Sequence, residues 1–165
     1  NLHISVKSWK FINQWDCDFY VSTWSNTKQI SNRLVGLEFN QKIDESYIKK
    51  HLPSVKIDIL DENEIVLSNP DLKTNGDKSI FHMKNCLRMI FEQDKKYDFI
   101  LLTRSDQYFV MNDDLSYYEL LNEKNTIYTL EEIEKTNDEI KINDIYFWGI
   151  FDTIKSVIEI GRAHV

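Results

Sequence analysis

An α/β fold with a largely parallel sheet is predicted by three observations. Helical periodicities alternate with short apolar strands along the chain, the stretch 97–102 is a continuous apolar strand of the kind covered on both faces, and no internal repeat is visible. In such sheets ligands bind outside the carboxyl ends of the strands.

The elements follow in order. Leu2, Val6, Trp9 and Ile12 recur at helical spacing, which predicts an amphipathic helix over 2–13. CDFYVSTW, residues 17–24, is aromatic and β-branched and reads as a strand. A polar stretch covers 25–40. Asp44 then caps a short helix with apolar Tyr47, Ile48 and Leu52, stopped by Pro53. Val55, Ile57 and Ile59 alternate with Lys56 and Asp58, the pattern of a half-exposed strand. Pro70, Asn75 and Gly76 mark 61–76 as mostly loop. Over 79–95 Ile80, Met83, Leu87, Ile90 and Phe91 form the apolar face of a helix, with His82, Asn85, Arg88 and Glu92 largely turned from it. Strand 97–102 is next, then a strand candidate at 127–130. An acidic loop or short helix is expected over 131–139, an apolar segment at 145–148 and a last helix at 153–160.

Composition narrows the classes. The chain has 165 residues, 42% of them hydrophobic and 13% aromatic, which suits one globular domain rather than a disordered segment. A formal net charge of -7 argues against a general nucleic-acid binder, because phosphate neutralisation needs clustered cations. No apolar run approaches the ~20 residues of a membrane span. The two cysteines, Cys17 and Cys86, lack metal-site spacing and are expected to be reduced, buried thiols in a cytoplasmic protein. His3, His51 and His82 show no metal spacing either. The hexapeptide IGRAHV at 160–165 matches the translation of a sequencing-adapter sequence, so the native domain is expected to span 1–159 and the last six residues to be a non-native tail, the alternative being an ordinary frayed terminus.

Three strand ends are candidate sites: Thr23-Trp24-Ser25, Arg104-Ser105-Asp106 and the region 144–149. A carboxylate such as Asp106 can hold a divalent cation that bridges two phosphates, since hard cations prefer oxygen ligands. The guanidinium of Arg104 can clamp a phosphate or orient that carboxylate. Ser and Asp also leave strands merely as turn residues, and spacing leaves both readings open. Asp144 is either a functional acid or a turn residue beside Asn143. Trp24 and Trp148 are aromatic platforms or core residues, and the Thr23 hydroxyl can face a ligand beside Trp24. Arg88 and Lys84 are cations on a polar helix face that could reach a diphosphate, or are simply solvated.

YDFILLTRSDQYF, residues 97–109, resembles the segment Tyr-Asp-(apolar strand)-Arg-x-Asp-x-x-Phe of bacterial and viral GT-A-type glycosyltransferases. CDFYVSTW is similar to that family's early strand with its Thr-Trp pair. HLPSVKIDILDE, FHMKNCLRMIFEQ and NDIYFWGIFDTIKSV resemble its later segments, in the expected order over most of the chain.

The resemblance implies a GT-A-like, Rossmann-like domain that moves a sugar from a nucleotide-sugar donor to a glycan or lipid-linked glycan in surface-polysaccharide or lipopolysaccharide assembly. It implies that Arg104, Ser105, Asp106, Thr23 and Trp24 meet the donor, that Asp144 is the late acid acting on the acceptor hydroxyl, and that Trp148 contacts the acceptor. Asp106 would be the surviving metal-binding acid of an Asp-x-Asp-like site for manganese or magnesium. Arg104 stands where many of these enzymes carry the first acid, which sets strict metal dependence in question. The family's first strand precedes the point where this chain begins, so a fragment with an incomplete donor pocket is implied. The expected location is cytoplasmic, at the inner membrane face through partners. The alternatives are another nucleotide-binding α/β transferase, in which Arg104 and Asp106 only contact phosphate, and a non-catalytic glycan- or partner-binding domain.

Overall fold

The computed structural model describes residues 16–30, 38–52, 54–103, 126–129, 134–136, 139–141 and 146–163. Among these the fold is mixed α/β, with four helices and several small sheets, one of them parallel. The described residues group into two compact units, Asp16–Glu92 and the part of the chain from Gln93 onward.

The first unit is organised by β1 (Phe19–Trp24), which pairs in parallel with the strand Val55–Leu60, in a register running from Phe19↔Val55 to Trp24↔Leu60. Between them lie β2 (Asn26–Ile30), β3 (Glu38–Lys42) and α1 (Glu45–His51), so Val55–Leu60 is β4. The predicted strand at 17–24 and the predicted helix after Asp44 are both present. Asp44 accepts from the Ser46 amide at 2.8 Å, and α1 buries Ile48 with Leu52 at its C-cap. Pro53, the expected stop, lies outside the described residues. Ser54 then takes φ 52°, a left-handed turn that redirects the chain into β4.

Three expectations for this unit need correction. The polar stretch 25–40 carries the antiparallel pair β2–β3, whose ladder rests on backbone hydrogen bonds that an apolar pattern does not report. The expected loop 61–76 contains α2 (Glu62–Ser68), because the Asp61 carboxylate accepts from the Asn63 and Glu64 amides at 2.8 and 3.2 Å. The main helix, α3, spans Asn75–Phe91 rather than 79–95. Its start is set by a capping box: the Asp77 amide donates to Thr74 Oγ1 at 3.1 Å and the Thr74 amide donates to Asp77 Oδ2 at 2.7 Å. Asn75 and Gly76, read as turn residues, form its first turn, where their low propensity matters least.

The second unit begins with β5 (Phe99–Thr103), followed by β6 (Ile127–Thr129), β7 (Glu134–Thr136), β8 (Glu139–Lys141), β9 (Tyr146–Ile150) and α4 (Phe151–Ala163). Strands β5, β9 and β6 make a sheet in that order, and both pairings are antiparallel. The expected arrangement set 97–102 between the strands 17–24 and 55–60 of one parallel sheet. The sheets instead record β9 as the neighbour of β5, and β1 and β4 as neighbours of each other. An apolar run reports burial on both faces, not the direction of the neighbouring strand. Burial is as expected on one face only: Ile100 and Leu102 are buried, while Phe99, Leu101 and Thr103 on the other face are half-buried; Phe151 and Ile154 of α4, which packs on β9 and β5, are buried too. The acidic stretch 131–139 contributes β7 and part of β8, an antiparallel pair. Helix α4 begins two residues before the expected position 153 and its backbone continues through Ala163. The predicted helix 2–13 lies outside the described residues.

Candidate functional site

Pleating sends Ser22 and Trp24 to one face of β1 and Thr23 to the other. Helix α3 packs on β1. It runs antiparallel to the strand: Cys86 meets Tyr20, Asn85 meets Ser22, and Phe81 with His82 meets Trp24. The N-terminal half of α3 therefore lies toward the carboxyl end of the parallel pair, where Trp24 stands.

A chain of polar side chains crosses this helix–sheet interface. Ser22 and Asp58 are register partners on β1 and β4. Asn85, only 8% exposed, spans both: Nδ2 donates to Asp58 Oδ2 at 2.7 Å and to Ser22 Oγ at 2.9 Å. Its Oδ1 accepts from Arg88 at 2.7 Å. The amide orientation follows from charge, since the reverse would set its oxygen against a carboxylate and its NH2 against a guanidinium. Arg88 also approaches Asp58 at 3.7 Å. Ser22 Oγ lies 2.7 Å from His82 Nδ1. Ser22 Oγ accepts from Asn85 and keeps both a proton and a second lone pair, so it can meet Nδ1 as donor or as acceptor.

His82 Nε2 is buried and has no hydrogen-bond partner among the described residues. The imidazole instead meets the Trp24 indole edge-on, with centroids 4.1 Å apart and planes at 66°. Phe81 stacks on the same indole at 5.9 Å and 9°. Burial pushes the His82 pKa below its ordinary 6.5, a shift opposed in part by the Asp58 and Glu62 carboxylates. Below this site Cys86 donates to the Tyr20 carbonyl at 3.6 Å, and burial raises its thiol pKa to about 11. Both cysteines are free thiols, but each is half-buried rather than buried as expected.

This network corrects the expected faces of the main helix. Asn85 and His82 point into the interface rather than away from it, and Ile80 of the expected apolar face is 42% exposed. Asn85 sits on the inner face because Ser22 and Asp58 offer it partners that a count of apolar residues cannot register. The signal available in the sequence was the hydroxyl of Ser22, alternating with Tyr20 and Trp24 on one face of an aromatic strand.

Of the sequence-predicted site residues, Thr23 and Trp24 close β1, on opposite faces; the Thr23 hydroxyl turns to the Trp24 carbonyl at 3.5 Å. Trp148 occupies β9, in register with Leu101 and Tyr128. Arg104, Ser105, Asp106 and Asp144 lie outside the described residues. Among the described residues no three His, Cys, Asp or Glu side chains gather as a metal site, and no helix is long and apolar enough to cross a membrane. Comparison with protein-family models, with curated proteins and with solved structures finds no match.

Proposed function

We propose that the protein is a GT-A-like glycosyltransferase that moves a sugar from a nucleotide-sugar donor to a glycan or lipid-linked glycan acceptor, working on the cytoplasmic side in surface-polysaccharide or lipopolysaccharide assembly. The observation that carries the reading is the parallel β1–β4 pair with α3 packed on it, which brings Trp24 to a carboxyl strand end, the position where α/β domains take nucleotides. The order of sequence motifs supports the same reading. Trp24 offers the donor an aromatic face. Arg104 clamps its diphosphate, and Asp106 would hold a manganese or magnesium ion against the phosphates. Asp144 takes the proton of the acceptor hydroxyl as it attacks the anomeric carbon, and Trp148 contacts the acceptor.

Donor turnover with and without manganese, alongside thermal melting, tests this assignment for the wild type and two variants. Asp106→Asn is expected to abolish transfer at an unchanged melting temperature, since the amide keeps the shape but loses the charge. Arg104→Ala is expected to raise the donor KM more than it lowers kcat, because a phosphate clamp acts on ground and transition states alike. Wild-type turnover by Asp106→Asn, with unchanged metal response, would reduce Asp106 to a turn residue. Glycan binding without turnover by any form would favour the non-catalytic binding domain.

A further inference from the structure

We propose that His82 is a positioning residue for Trp24: the chain Asp58–Asn85–Ser22 holds the imidazole, and its T-shaped contact sets the indole plane that a donor meets at the carboxyl end of β1. The donor part of this proposal rests on the glycosyltransferase reading; the ring contact does not.

The argument starts from the sheet. Register places Ser22 beside Asp58, and α3 lays Asn85 across both. Asn85 is held by all three of its polar contacts, to Asp58, Ser22 and Arg88, so it presents one fixed donor to Ser22. Ser22 Oγ in turn lies 2.7 Å from His82 Nδ1, and that hydrogen bond restrains the imidazole ring. Nε2 is buried without a hydrogen-bond partner among the described residues, and the Trp24 indole lies against the ring in a T-shaped contact, 4.1 Å between centroids and tilted by 66°. Phe81, the preceding residue on α3, stacks on that indole nearly parallel, so one helical turn grips Trp24 by a face and an edge.

In the imidazolium form Nδ1 donates to Ser22 Oγ, which still accepts from Asn85 through its second lone pair, and the ring then carries a charge beside the indole. The charged groups that face the imidazole are Asp58 on β4 and Glu62 on α2, which favour the proton. Each is countered by a cation of α3: Arg88 at 3.7 Å from Asp58 and Lys78 at 2.6 Å from Glu62. Burial outweighs the two carboxylates, so the neutral imidazole is the form present at neutral pH.

The test reads Trp24 directly, as the difference in tryptophan emission between the wild type and Trp24→Phe, titrated from about pH 4.5 to 8 across the histidine range. A protonated imidazole against an indole quenches it. The Trp24 emission is therefore expected to fall with a midpoint below 6.5 in the wild type, and to stay flat in both His82→Phe and His82→Gln. Two replacements guard against one that fails to fold. With a nucleotide-sugar donor, His82→Gln is expected to raise KM about two- to tenfold at unchanged kcat, the size of one aromatic contact. A flat wild-type titration, or the same titration in His82→Gln, overturns the ring contact. A normal titration with unchanged donor KM overturns the positioning role. If the wild type turns over no donor, the glycosyltransferase reading falls and the emission titration alone decides the contact.

Discussion

Asn85 shows how much one side chain can carry when its neighbours leave it a single orientation. Replacing it with Leu keeps the volume but takes one donor from Ser22 Oγ, one from the Asp58 carboxylate and an acceptor from Arg88. A loss of about 1–3 kcal/mol is expected, the range for a buried polar group deprived of its partner. Asn85→Asp is the more diagnostic change. It sets a second carboxylate against Asp58 where a donor now stands at 2.7 Å. The pair should be repulsive at neutral pH and relax when one acid takes up a proton. The variant is therefore expected to gain stability relative to the wild type as pH falls through the carboxylate range, which denaturant unfolding at several pH values will show.

At the scale of the element, α3 and β9 depend on features of opposite kinds. The α3 start is a local device. Thr74→Ala removes the oxygen that accepts from the Asp77 amide, and about 1 kcal/mol of stability should go with it. Urea unfolding at pH 7 is the measurement. Strand β9 depends on a missing side chain. Gly149 pairs with Ile100 on one side and Ile127 on the other. A Cβ there would lie 3.1 Å from Ile154 Cδ1 and 3.2 Å from the Thr126 carbonyl oxygen. Ile154 is 1% exposed and the carbonyl is backbone, so neither yields easily. Gly149→Ala is expected to cost about 1–3 kcal/mol by overpacking, read as a lowered melting temperature.

For the whole molecule, the pKa shifts define a window of stability. His82 is lowered by burial, so its unfolded form binds protons first. Its contribution is complete above 6.5 and is lost as pH falls through the folded value. Asp44 and Asp77 are lowered by hydrogen bonds from Ser46 and Thr74, and their contributions are complete above 3.8 and lost in stronger acid. Cys86 works in the opposite direction. Its thiol is raised from 9.0 to about 11, so the unfolded chain ionises first. Its contribution is complete below 9.0 and should decline by about 2–3 kcal/mol as pH rises through 11. Stability should thus be greatest between roughly pH 6.5 and 9. Unfolding curves across this range check the window, and Cys86→Ala should flatten its alkaline side.

Features decided within a few neighbouring residues were legible from the chain alone. Asp44 announced α1 because a capping carboxylate needs only the next two residues, and the aromatic, β-branched run 17–24 announced β1 because strand preference is written in consecutive side chains. Burial of Ile100 and Leu102 was legible for the same reason. Pairing was not. That β5 lies against β9 and runs opposite to it depends on segments about fifty residues apart, and an apolar run is equally content beside a parallel neighbour. Strands β2 and β3 were hidden because backbone ladders hold them together, whatever the side chains. The polar chain was hidden most completely. Ser22, Asp58 and Asn85 come from two strands and a helix, and each alone looks like an ordinary surface residue. Tertiary structure decides that they share one partner set, because a buried polar group is stable only where the fold supplies its hydrogen bonds.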